Sequence, residues 1–229
     1  MSRDRIIGLL ESAATLLPVV RGEMSPRDTL EGRIVANLFL ENSTRTRVSF
    51  TVATKRLGGQ CVDLLGSTSS GSKGESLVDT ARNVAAMGVD AIVVRCSASG
   101  GAHLVAEHVD CPVINAGDGM CEHPTQGLLD MLSLTQAFGT TDLSDRVIGI
   151  AGDIARSRVA RSAAYAASTL GADVLFIGPP SMVPTSLLGL LDDCGSEKRG
   201  TIGICHDLDA AIPMLDAAMM LRVQFERGA

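Results

Sequence analysis

The chain has 229 residues, of which 45% are hydrophobic and 20% charged, enough to bury a substantial core and too apolar for wholesale disorder. With 26 acidic against 20 basic residues its net charge is −6, a balance opposite to that of a general nucleic-acid binder. Only 3% of residues are aromatic and none is Trp, which leaves nothing on which bases would stack.

The opening stretch, MSRDRIIGLLESAATLL, has the spacing of an amphipathic helix with Glu11 inside its apolar run. Short β-branched or apolar runs then recur at 34–40, 61–65, 91–94, 112–114, 147–151, 174–177, 201–204 and 217–221. Helical spacing lies between most of them. Val48 and Val52 stand four apart within 44–57. Leu77, Ala81, Val84 and Ala85 form a stripe within 75–87. Leu128, Met131, Leu132 and Leu134 mark 123–138, and alanines dominate 158–170. Such alternation implies parallel sheets with helices on both faces. The polar GTTDLSD stretch at 139–145 suggests a boundary, so the expected fold is α/β with two doubly wound parallel-sheet domains, 1–139 and 140–229. No internal repeat is evident. The Gly/Ser segment 66–72 is a flexible connector or a lid carrying Lys73.

No apolar run reaches the roughly 20 residues of a membrane helix, and no secretory signal is recognisable. The six cysteines (Cys61, Cys96, Cys111, Cys121, Cys194 and Cys205) form no C-x-x-C pair. The expectation is a reduced, cytoplasmic protein with no metal site, no membrane contact and no nucleic-acid partner.

Five constellations carry candidate chemistry. Ser43-Thr44-Arg45-Thr46-Arg47 follows the first strand and opens a helix, where free N–H groups, hydroxyls and guanidinium groups suit a phosphate. A capped surface helix with solvated arginines is the plain alternative, and the P-loop pattern is absent. His123-Pro124-Thr125-Gln126 begins another helix, with His123 and Gln126 on one face, able to polarise a carbonyl and to bind an amide. Arg95 ends a strand. The 152–158 run, GDIARSR, stands where a dinucleotide fingerprint would, but lacks G-x-G-x-x-G; its arginines suit a carboxylate. Arg222 and Gln224 follow the last strand on one side of the chain. No nucleophilic triad is recognisable. The pattern is a cation-lined cleft that works by positioning and electrostatics.

The run from Phe39 to Phe50, FLENSTRTRVSF, strongly resembles the carbamoyl-phosphate signature of the aspartate and ornithine carbamoyltransferase family. His123 to Asp130, HPTQGLLD, resembles its second signature. KGESLVDT from Lys73 and MLRVQFER from Met220 are similar to the aspartate branch. The resemblance implies a homotrimer that makes N-carbamoyl-L-aspartate and phosphate from carbamoyl phosphate and L-aspartate, in pyrimidine synthesis. Regulatory or dihydroorotase-like chains are conceivable companions, and neither cofactor nor metal is implied.

Carried over by motif, Ser43, Thr44, Arg45 and Thr46 hold the phosphate. Arg95, His123 and Thr46 contact the carbonyl oxygen, and Gln126 holds the carbamoyl amine. Arg158, Arg222 and Gln224 bind aspartate, and Lys73 with Ser69 reaches a neighbouring subunit's site. Cys96 stands where many relatives have histidine, and Thr51 where glutamate is usual. Relatives continue past the position of Ala229. The expectation is therefore an incomplete second domain and impaired use of aspartate. A non-catalytic binding or assembly subunit and an ornithine carbamoyltransferase are the alternatives.

Overall fold

The computed structural model describes residues 1–65, 75–191 and 200–222. The Gly/Ser segment, Ser69, Lys73 and Gln224 lie outside the described residues. The described elements run α1 (Arg3–Val20), β1 (Ile34–Phe39), α2 (Thr44–Arg56), β2 (Gln60–Leu65), α3 (Leu77–Ala86), β3 (Ala91–Cys96), α4 (Gly101–Ala106), β4 (Val113–Asp118), α5 (Pro124–Phe138), β5 (Val147–Ala151), α6 (Arg158–Thr169), β6 (Asp173–Ile177), β7 (Ile202–Cys205), α7 (Leu208–Ala211) and β8 (Ala217–Met220). They build two four-stranded parallel sheets, ordered β2-β1-β3-β4 and β7-β6-β5-β8. Two doubly wound α/β sheets are what the alternating pattern called for.

Contacts divide the chain into two compact units, 15–123 and 1–14 with 124–229. Helix α5 falls in the second of these, together with the 139–145 stretch. The reason is close packing against α6: a Cβ on Gly127 would lie 2.8 Å from the Ser162 carbonyl oxygen. Alanine makes the same economy on the other helix, where Ala160, Ala163, Ala164, Ala166 and Ala167 are all buried.

In each sheet the central strand is gripped at its start by an aspartate from the strand beside it. Asp90, just before β3, accepts from the Ile34 amide at 2.8 Å and from Arg33 Nη1 at 2.6 Å. Asp216, just before β8, accepts from the Val147 amide at 2.9 Å and from Arg146 Nη1 at 2.8 Å. Arg146 also lies 4.9 Å over the Phe138 ring. The two grips sit on β1/β3 and on β5/β8, the pairs at which each strand order reverses. This repeated device is the internal correspondence that the residue pattern did not reveal.

Helices α4 and α7 and a 3-10 turn at Thr185–Leu191 are short elements without a long periodic stripe. Strand β4 runs to Asp118, beyond the expected 112–114, because its polar end is used for bonding. Asp118 accepts from the Gly100 amide at 2.8 Å, the Glu122 amide at 3.0 Å and Asn115 Nδ2 at 3.1 Å. The described cysteines are free thiols.

The Ile34 amide and then Arg33 hold the Asp90 carboxyl below the ordinary carboxylate range, and the Val147 amide with Arg146 does the same for Asp216. A group with a depressed folded-state pKa stabilises above its unfolded value and loses that contribution as pH falls through the folded value. The stability of the chain is therefore expected to decline below about pH 4. In Asp90→Asn/Asp216→Asn that acid limb is expected to be shallower, as read by urea unfolding across pH. An identical limb in the double variant would refute the assignment.

Candidate active site

Open α/β sheets bind ligands where the strand order reverses, beyond the carboxyl ends of the strands. In the 15–123 unit that place is the end of β1/β3, where Phe39 is paired with Arg95 and the Leu40 amide donates to the Arg95 carbonyl at 2.8 Å. The loop after β1 leads directly into α2. Ser43 precedes the helix in an extended conformation, and its hydroxyl donates to Thr46 Oγ1 at 3.0 Å rather than capping a helix N–H. No acidic residue occupies the first turn. The positive end of α2 is thus left without a side-chain acceptor, a ready seat for an anion.

The two arginines of this turn differ in role. Arg45 is exposed and has no carboxylate within ion-pair distance among the described residues. Arg47 lies 3.6 Å from Asp63 Oδ2. Asp63 is itself held by Asn37, a fully buried side chain of β1, whose Nδ2 lies 2.8 Å from Asp63 Oδ1 and 3.1 Å from Thr51 Oγ1. Thr51 therefore belongs to a polar bracket that ties α2 to β1 and β2. Cys61 borders the bracket; burial pushes its thiol pKa up, so it is no activated nucleophile.

Arg95 is buried, with its side chain 11% exposed. Its Nη1 donates to the Ala116 carbonyl at 3.1 Å and its Nη2 to Glu41 Oε1 at 2.8 Å. Sequence reasoning missed Glu41. The only signal was a lone acid at the head of a cationic motif. Cys96 is buried, its thiol donates to the Ala98 carbonyl at 3.4 Å, and a Cβ on Gly101 would lie 2.5 Å from its sulfur. His123, 8% exposed, closes this unit after the Asp118-braced loop. Burial and then the neighbouring Asp118 push the Glu122 carboxyl above its usual range.

In the other unit Pro124 opens α5, and Gln126 lies in its first turn. Gln126 Nε2 donates to Asp130 Oδ1 at 2.8 Å. Burial pushes the Asp130 carboxyl upward, against the opposing pull of that hydrogen bond. Asp130 is a second residue to which the sequence reading gave no role.

The second sheet reverses at β5/β8, where Ala151 is paired with Met220 and the Leu221 amide donates to the Ala151 carbonyl at 2.8 Å. Gly152 has φ 128°, and a Cβ there would lie 2.7 Å from the Leu221 carbonyl oxygen. That approach brings the loop after β5 against the end of β8. Ser157 caps α6 by accepting from the Ala160 amide at 3.1 Å, which sets Arg158 as the first helical residue, 3% exposed. Arg222 follows β8 and is exposed. Asp153, 1% exposed, lies 3.4 Å from Arg156 Nη1. Arg158 and Arg222 are thus the predicted cations at this strand edge, while their expected companions Lys73 and Gln224 lie outside the described residues. Among the described residues no three His, Cys, Asp or Glu side chains group as metal ligands do.

Gly152→Ala combines a positive φ with a backbone clash and is expected to destabilise the chain by about 2 kcal/mol or more in urea unfolding. Glu41→Gln leaves a buried guanidinium with a weaker partner and is expected to cost about 1–2 kcal/mol in the same measurement. Wild-type stability in either variant would contradict the packing described.

The described geometry has close counterparts. The family profile for the aspartate/ornithine carbamoyltransferase carbamoyl-P binding domain matches residues 1–136. The aspartate carbamoyltransferase catalytic subunit of Geotalea uraniireducens is 47% identical over 227 residues, 99% of this chain and 70% of that protein. The catalytic subunit from Myxococcus xanthus is 48% identical over 225 residues, 98% of this chain and 71% of that protein. Among solved structures, aspartate transcarbamoylase from Trypanosoma cruzi in complex with carbamoyl aspartate and phosphate superimposes with a TM-score of 0.87 at 30% identity, covering 100% of this chain and 74% of that one. The catalytic subunit of M. jannaschii aspartate transcarbamoylase gives 0.84 at 33% identity, covering 99% and 72%. A relative this similar over nearly the whole chain, together with the profile match, establishes that the chain belongs to the aspartate and ornithine carbamoyltransferase family, on the side of the aspartate carbamoyltransferase catalytic subunits.

Proposed function

We propose that the chain transfers the carbamoyl group of carbamoyl phosphate to the amine of L-aspartate, giving N-carbamoyl-L-aspartate and phosphate, a step of pyrimidine synthesis. The observation that carries this reading is the acid-free, uncapped start of α2 with Arg45, at the same sheet reversal as the buried Arg95. A dianion and a polarised carbonyl need those two cations at one strand edge. The relatives are named for this activity, and solved relatives are described in complex with carbamoyl phosphate and aspartate.

In this reading the backbone of α2, with Ser43, Thr44, Arg45 and Thr46, binds the phosphate. Arg95, Thr46 and His123 donate to the carbonyl oxygen. The amine nitrogen of aspartate attacks the carbonyl carbon, negative charge gathers on that oxygen, and the bond to the bridging phosphate oxygen then breaks. The departing phosphate accepts the proton released by the nitrogen. Glu41 keeps Arg95 extended toward the cleft before substrate arrives, so little reorganisation is left for the chemical step. Gln126 accepts from the carbamoyl amine. Arg158 and Arg222, with Lys73 and Gln224, bind the aspartate carboxylates. The functional division is 1–139 for carbamoyl phosphate and 140–229 for aspartate.

Two carboxylates call for several cations, whereas ornithine presents a cationic side-chain amine that such a cluster repels. A homotrimer with shared sites completes the reading, Lys73 and Ser69 coming from a neighbouring copy. It is supported by the face of α2 beside the phosphate seat, where Val48 and Val52 are exposed at 49% and 45% with Val20 and Ala53 alongside.

Arg45→Ala is expected to weaken carbamoyl phosphate binding by about 2–3 kcal/mol in calorimetry, the scale of a lost charge-assisted partner. Unchanged affinity would overturn the phosphate site. In acceptor assays aspartate is expected to be carbamoylated in preference to ornithine; the reverse preference would defeat the specificity. Mixed trimers of Arg45→Ala and Lys73→Ala chains are expected to regain activity that neither has alone, and silent mixed trimers would refute site sharing.

A further inference from the structure

Gln126 is asked to do something that half of its side chain cannot. The carbamoyl NH2 group has two donors and no useful acceptor, so only the Oε1 end of a glutamine can receive it. An amide flipped end for end would present a second NH2 and repel it. The two ends have nearly the same shape, so packing alone does not choose between them.

The choice is made one helical turn away. Gln126 and Asp130 stand four apart on α5, on one face, and Gln126 Nε2 donates to Asp130 Oδ1 at 2.8 Å. An ionised carboxylate is acceptor-only, so it admits the NH2 end and excludes the carbonyl end. Asp130 Oδ2 is buried and has no hydrogen-bond partner among the described residues. A half-satisfied buried carboxylate is unusual enough to need a reason. Fold stability alone supplies none.

We infer that Asp130 is a positioning residue that locks the Gln126 amide with its carbonyl oxygen free for the carbamoyl amine, so that the site selects a carbamoyl group over shape-matched acyl groups. The inference rests on the proposed role of Gln126. It predicts that removing the carboxylate harms recognition of the amine and leaves recognition of the phosphate intact. Asp130→Asn is the informative change, because its amide accepts or donates and so tolerates either orientation of Gln126.

The test uses three stable probes in calorimetry with the full 229-residue chain. Phosphonoacetamide carries the carbamoyl amine, acetonylphosphonate replaces that amine by a methyl group, and inorganic phosphate reports the phosphate seat alone. Asp130→Asn is expected to lower phosphonoacetamide affinity about twofold, because the Gln126 amide is then divided between two equally tolerated orientations, with the other two affinities unchanged. Asp130→Glu, which keeps an acceptor-only group on the same turn, is expected to recover most of the preference. Gln126→Ala separates the two layers of the argument. If it leaves the preference for phosphonoacetamide intact, the proposed role of Gln126 fails. If it abolishes the preference while Asp130→Asn preserves it, the positioning role of Asp130 fails and that of Gln126 stands. Equal loss of all three probes in both Asp130→Asn and Asp130→Glu would mark the carboxylate as a structural support only and would also overturn the inference.

Discussion

Two aspartates at strand starts set the geometry on which everything downstream depends. Asp90 and Asp216 each bind the first amide of a neighbouring strand and the arginine before it. Each grip therefore fixes both the spacing and the register of a strand pair at one end. In a parallel sheet, register determines which residues emerge at the other end, and a slip of one residue turns every side chain to the opposite face. The gripped pairs are those whose far ends carry Arg95 with the α2 turn and Arg222 with the α6 turn. A one-residue error at Asp90 would point Arg95 away from the Ala116 carbonyl and Glu41 that now hold it.

The chain concentrates cations locally although its net charge is negative. Several arginines have their charge answered by protein: Arg33, Arg146, Arg47 and Arg95 each lie within ion-pair distance of a carboxylate. The last two hold shape close to the ligand edge. Arg45 lies on the same turn as Arg47 with no such partner among the described residues. The distinction between a cation answered by the fold and one that is not is thus visible in neighbours two residues apart. Burial adds to the effect, since charge interactions around Arg95 are less screened than those at the surface.

Most of the architecture was legible because it rests on periodicity. Long helical stripes and apolar strand runs name the two sheets and most of their crossovers. Strand ends were harder: the polar tail of β4 looked like loop until the carboxylate of Asp118 was seen to gather three donors. The placement of α5 was hidden for a related reason, since the surface that Gly127 offers Ser162 is the absence of a side chain. At the candidate site the ligand-type residues announced themselves by charge and motif. Glu41, Asn37 and Asp130, which orient other side chains, did not. Their partners are 54, 26 and 4 residues away, and only the last separation has a period that a sequence pattern can show.

The alanine and glycine contact between α5 and α6 has a mechanical consequence. Large side chains at a helix interface can change rotamer and let one helix shift while the other stays. A backbone-to-backbone seam has no such slack, and interiors packed this closely move as blocks. The seam crosses at Gly127 and Ser162, about one turn inside each helix start, beside Gln126 on one helix and Arg158 on the other. These two side chains therefore ride on a single stiff piece. A displacement of one helix start is therefore passed on to the other.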